Sequence, residues 1–221
     1  MNSRKKQTSM LVLAILLEFA VLFGIILFQK SVFVCLPVAD RAILMIVIQW
    51  LLLIVPFVFM KRYKISVSEI GFSKSKLASQ VLIGSILGIS MSFIFTVFPI
   101  IVGFKDMVGS TSYTQTWQFC YQFIYMIFGV ALVEEIFYRG FLFERVLNIF
   151  KSKWTAIIIS SCVFGLSHIF NGNIIQVFTT SLLGVMFCIC RDKIKNCTTL
   201  SLIIMHGIYN ALITLFVAIL P

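Results

Sequence analysis

Seven apolar runs, each long enough to cross a bilayer, set the limits on what this chain can fold into. A membrane helix needs ~20 consecutive apolar residues to span the hydrocarbon. The runs lie at about 10–28, 42–60, 78–102, 118–142, 154–171, 174–190 and 198–220. In lipid every backbone N–H and C=O needs a partner within the protein, so runs of this kind become helices. The expected fold class is all-α, a polytopic transmembrane helical bundle of about seven spans. Composition agrees: 60% of the 221 residues are hydrophobic and only 12% are charged, where a soluble domain would carry about a quarter. A single membrane-embedded domain over 1–221 is expected. The first run follows MNSRKKQ. It is longer than a signal-peptide core and lacks a small-x-small cleavage site, so it reads as an uncleaved span.

The net charge is +10. Its distribution argues against nucleic acid, because the basic residues sit in short clusters between the apolar runs rather than along one face. Arg4, Lys5, Lys6, Lys61, Arg62, Lys64, Lys74, Lys76, Arg145, Lys151, Lys153, Arg191, Lys193 and Lys195 fall on one side, and Lys30, Arg41 and Lys105 on the other. Loops rich in Lys and Arg face the cytoplasm. The N-terminus is therefore expected inside. The six cysteines show no C-x-x-C pairing and mostly lie in or beside spans, where they read as small apolar residues.

An ionisable residue costs ~2.5–3.5 kcal/mol at the centre of a span, so such residues are rare and informative. Here they are Glu18, Glu134, Glu135, Arg139, Glu144, His168 and His206, and the last two are the chain's only histidines. Glu18 reads as a packing residue and receives no role. Glu135 and Arg139 are four apart with the acid first, the favourable order for a helical ion pair. Glu134 points about 100° away and is free for another partner. Phe164 and His168 share a helix face, as do His206 and Asn210. Spans 4 and 5 meet at the turn Lys151–Lys153. Glu134 lies 18 residues before Ser152 and His168 lies 16 after it. At 1.5 Å per residue both stand ~24–27 Å above the turn, nearly level, where a water could bridge them. A helix running from span 4 to that turn exceeds the bilayer, so the hairpin is expected to project into the cytoplasm.

Several membrane chemistries lack their residues. No H-E-x-x-H string is present. The aspartates Asp40, Asp106 and Asp192 lie at connections or span ends, which leaves no aspartyl pair. Ser167 could serve as a nucleophile only with His206 as base, since adjacent residues on a helix do not face one another. What remains is water activated by a carboxylate and an imidazole, with donors from a second histidine and an asparagine for the developing oxyanion.

The strings EEIFYRG, FGLSH and HGIYN resemble the motifs E-E-x-x-x-R, F-x-x-x-H and H-x-x-x-N/D of the CAAX protease and bacteriocin-processing family, also called the Abi family of intramembrane proteases. The match covers about residues 115–220, the expected catalytic core. The resemblance implies an intramembrane endopeptidase reached from the cytoplasmic side. By similarity Glu134 and His168 would activate water, His206 and Asn210 would form an oxyanion hole, and Glu135 and Arg139 would support the site, with Phe164 beside them. Substrates would be membrane-associated peptides or proteins: CaaX-type tails, or bacteriocin or pheromone leaders. No cofactor is expected to be required, because Asn210 is a poor zinc ligand. A metal, if bound, would take Glu134, His168 and His206. The expected setting is a bacterial plasma membrane, with the lipid bilayer as partner and no nucleic acid. The rival reading is a non-catalytic membrane protein that binds peptides for immunity or regulation.

Overall fold

The computed structural model of the protein describes residues 3–171 and 174–221. Seven helices are long and apolar enough to cross a membrane: α1 (Arg4–Cys35), α2 (Val38–Tyr63), α3 (Leu77–Ile101), α4 (Thr116–Phe150), α5 (Lys153–Phe170), α6 (Ile174–Lys193) and α7 (Thr199–Ile219). No strand occurs among the described residues. The protein is a multi-pass helical membrane protein. The helices overrun the apolar runs at several ends, because backbone pairing continues past the point where side chains turn polar.

Two close helix pairs build the half of the bundle that matters for function. Gly84 and Gly88 of α3 lie against α7, and a Cβ at either would come within 2.5 and 2.7 Å of the carbonyl oxygens of Ser201 and Met205. Gly165 of α5 and Gly184 of α6 make a matching approach to Ser181 and Ser161. Apolar burial gives no net drive between helices in lipid, so small residues that let backbones touch supply the packing. The start of α7 is fixed by a reciprocal cap between Thr198 and Ser201. It is also tied to the α2–α3 connection, since Thr199 donates to the carbonyls of Gly71 and Ile70.

The basic connections gather at one end. Arg4 lies over the Phe150 ring, Arg145 reaches Glu69 at 3.8 Å, and Lys153 pairs with Asp192 at 2.5 Å. At the opposite end Tyr113 donates to Thr214 at 2.6 Å, and Lys105 to the carbonyl of Leu220. The charge asymmetry read from the sequence is thus an asymmetry between the two ends of the bundle.

Helix α4 is irregular where it matters most. Its backbone opens into π turns over Tyr125–Ala131 and again over Glu135–Leu142, on either side of a short α stretch, Leu132–Glu134. Such turns are rare and concentrate at functional sites. Each stretch offers a carbonyl to a side chain from another helix: Phe128 to Trp50 at 2.8 Å, and Arg139 to Arg191 at 2.5 Å. Arg191 also pairs with Glu144 at 2.5 Å, which joins α6 to α4. The even rise assumed in placing Glu134 above the turn therefore does not hold through Glu135–Leu142.

Candidate functional site

The sequence motifs converge. Arg139 and Glu135 are both 0% exposed and pair at 2.9 Å. Charges removed from lipid and water together survive only when paired and bonded. Arg139 is held further by rings: its guanidinium lies 4.0 Å from the centroid of Phe164 and 4.9 Å from that of Phe187. Phe164, the first residue of the second motif, is therefore a platform. It also meets His168 at 5.0 Å and His206 at 6.1 Å between ring centroids.

Glu135 does more than balance Arg139. The same oxygen, Oε1, accepts from Nδ1 of His206 at 2.8 Å. A carboxylate can only accept, so the shared proton sits on Nδ1 of His206. The other ring nitrogen, Nε2, lies 3.7 Å from Oε2 of Glu134. The adjacent glutamates thus flank one imidazole, Glu135 from behind and Glu134 from the cavity side. The sequence placed His168 opposite Glu134. The close approach in the structure is to His206, and His168 shares the cavity.

His168 is oriented in the same manner. Its Nδ1 donates to the carbonyl of Phe164 at 3.0 Å, which leaves Nε2 with its lone pair. Ser167 donates to that carbonyl at 2.7 Å and lies 3.3 Å from His168 Nδ1. The expectation that these neighbours could not meet fails because the helix tightens to 3₁₀ over His168–Asn171. With its hydroxyl spent on its own helix, Ser167 is packed and is not poised toward His206.

Glu134, His168, His206 and Asn210 line one cavity of about 240 Å³ together with Phe164, Phe187 and the α6 residues Gln176 and Thr180. The Glu134 side chain is 21% exposed while Glu135 is sealed. The side-chain amides of Asn210 and Gln176 make no protein hydrogen bond among the described residues. A polar group without a partner at membrane depth is costly unless something else meets it, so the cavity presents a set of groups available to a ligand. Among the described residues no three His, Cys, Asp or Glu side chains converge as a metal site. The carboxylate on Nδ1 of His206 is the kind of support that metal-bound histidines use, but the geometry does not gather Glu134, His168 and His206 around one point.

The sequence missed two contributors. Phe187, which packs on Arg139 and stands 5.1 Å from the His206 ring, is one of 23 phenylalanines with no local mark. Gln176 belongs to no motif, and its amide in an apolar run was the available signal. Glu18 is 2% exposed and its Oε2 has no partner among the described residues. It lies within electrostatic reach of Glu134 and Tyr138, closer to the site than its place in α1 suggested.

A helical bundle with a carboxylate–imidazole cluster opening into a cavity between its spans defines a class: membrane proteins equipped for chemistry within the bilayer. Residues 116–212, which contain every motif residue, match the family model described as type II CAAX prenyl endopeptidase Rce1-like. Over this region the chain is similar to that family of CAAX-type membrane peptidases, the likeness that the three motifs also carry. Comparison with curated proteins and with solved structures returned no match.

Proposed function

We propose that the protein is an intramembrane endopeptidase that hydrolyses a peptide bond with water activated by Glu134 and His168. The observation that carries this reading is the single cavity lined by Glu134, His168, His206 and Asn210, with Glu134 and Asn210 uncommitted to other protein hydrogen bonds. Glu134 takes one proton from a water, and Nε2 of His168 accepts a hydrogen bond from the same water. The water oxygen attacks the carbonyl carbon, so a C–O bond forms. Asn210 and His206 donate to the oxyanion, His206 through Nε2 in its imidazolium form, balanced by Glu135 on Nδ1. Collapse breaks the C–N bond, and the proton on Glu134 passes to the leaving amine. Substrates are membrane-associated peptides or proteins, CaaX-type tails and bacteriocin or pheromone leaders being the chemical types in view, and the setting is a bacterial plasma membrane. Residues 115–220 form the catalytic core of one membrane-embedded domain.

The test is turnover by the purified protein on a panel: farnesylated peptides ending in a CAAX tetrapeptide, their unmodified counterparts, and amphipathic leader peptides, with products read by mass spectrometry. Cleavage at one peptide bond is expected. Tight binding with every peptide intact would favour the non-catalytic binder.

A further inference from the structure

We infer that substrate reaches the site from the end of the bundle opposite the basic connections, so that with those connections in the cytoplasm the protein takes its peptides from the outer leaflet. The inference rests on the peptidase reading, and it departs from the cytoplasmic entry that the family resemblance implied.

Helices α4 and α6 run toward the basic end, and α5 and α7 run away from it. The cavity residues lie on the far side of the His206–Glu135 contact on all four helices. Val130 precedes Glu134 on α4, and His168 is two residues from the end of α5. Gln176 and Thr180 lie in the first two turns of α6, while Asn210 and Ile213 follow His206 on α7. Burial changes in the same direction. Toward the basic end Glu135, Arg139, Leu142 and Val146 of α4 and Phe187 and Cys188 of α6 are all sealed. Toward the other end Val130, His168, Gln176, Thr180 and Ile213 are each partly exposed. The Phe164–Arg139–Phe187 layer is thus the floor of the cavity, and Arg139 separates it from a second cavity of about 220 Å³ at the basic end, lined by Glu144, Lys153, Arg191 and Asp192.

A second observation points the same way. An apolar chamber of about 800 Å³ lies at that end between α3, α6 and α7, lined by residues such as Phe98, Val102, Leu182 and Met186. It shares Leu183, Tyr209 and Ile213 with the catalytic cavity. A peptide whose apolar segment rests in the outer leaflet can place that segment in the chamber and its scissile bond beside Glu134, without crossing the packed layer. Gln176, whose side-chain amide makes no protein hydrogen bond among the described residues, offers polar contacts to its backbone at the mouth. The favoured substrate class is therefore a peptide already exported to, or spanning into, the outer leaflet.

Two measurements test this. In a background with the six cysteines replaced, Thr180→Cys and Ile213→Cys report on the mouth and Ser152→Cys on the basic turn. A membrane-impermeant maleimide is applied to intact cells and to inverted vesicles. Both mouth variants should react in intact cells and the Ser152→Cys variant only in inverted vesicles. Labelling of the mouth variants from the Ser152 side, or from neither side, overturns the inference. Labelling of the Ser152→Cys variant in intact cells overturns the outer-leaflet assignment. The wild-type chain supplies the second measurement, independent of how the replaced background folds. The best-cut peptide of the panel, internally quenched and lipidated, should be cleaved by intact cells, with turnover lost in sealed inverted vesicles and restored by detergent. Turnover confined to inverted vesicles refutes the inference. If no peptide is cut in detergent, the peptidase reading falls, while the labelling result still decides where the cavity opens.

Discussion

Replacing Arg139 by Ala should damage the fold and the site by separable amounts. The change removes the guanidinium that pairs with Glu135 at 2.9 Å and leaves a 0% exposed carboxylate with His206 Nδ1 as its remaining side-chain partner among the described residues. Breaking a buried pair by deleting one partner costs ~3–5 kcal/mol. The guanidinium's contact with Phe164 at 4.0 Å and Phe187 at 4.9 Å is lost as well, a stacking worth roughly 0.5–2 kcal/mol. These contributions are coupled, so the lower figure, ~3–5 kcal/mol, is the prediction. For a chain of this size ~1 kcal/mol moves the melting temperature by roughly 2–4 °C, so a fall of about 10 °C in detergent is expected in a thermal-shift or aggregation assay. The companion variant Arg139→Met with Glu135→Gln removes both charges and keeps volume. Replacing both members of a buried pair is often neutral, so its melting temperature should return close to wild type. Activity should stay low, because Nδ1 of His206 no longer donates to a carboxylate and the imidazolium needed at the oxyanion is unsupported. If Arg139→Ala melts with the wild type, or if the double variant is no more stable than the single one, Glu135 is not a buried charge held by Arg139 and the reasoning is wrong.

Asn210→Ala should lower kcat by ~10²–10³ with KM little changed, the usual cost of one oxyanion donor; a raised KM with intact kcat would make Asn210 a binding residue. Asn210→Asp should retain reduced activity that improves as pH falls, because a charged acid repels the oxyanion and a neutral one can donate, and a flat pH profile would contradict that. Treatment with EDTA should leave wild-type turnover intact, whereas loss with recovery on zinc addition would favour Glu134, His168 and His206 as ligands. Cys35, exposed at the last residue of α1, should react with an impermeant maleimide in intact cells. Cys197 cannot serve as the inside control, because it is buried and burial pushes its thiol up to about 11.

The spans and the motif residues could be read from the sequence for one physical reason. Lipid penalises charge so heavily that seven apolar runs and a few ionisable residues stand out without any knowledge of packing. The i, i+4 pairs Glu135–Arg139, Phe164–His168 and His206–Asn210 were legible because a helix fixes which side chains share a face. What could not be read depends on contacts between helices. The Glu135–His206 bond joins residues 71 apart. Phe187 gains its role only because α6 brings it against Arg139. The π turns around Glu134 have no periodic signature, since a wider turn shifts side chains by a fraction of a residue that an apolar run does not record. The side on which the cavity opens was also hidden. It depends on a packed layer of Phe164, Arg139 and Phe187 drawn from three helices.

The central claim is that Glu134 acts as the base on water within the membrane, and Glu134→Gln tests it most directly. The substitution keeps size and hydrogen-bonding shape and removes only the ability to accept the proton. Purified wild type and variant should be compared on the best-cut peptide, with melting temperature and peptide binding measured on the same samples. Melting and binding should be unchanged and turnover abolished. Turnover within a few-fold of wild type in a well-folded Glu134→Gln protein would contradict the claim.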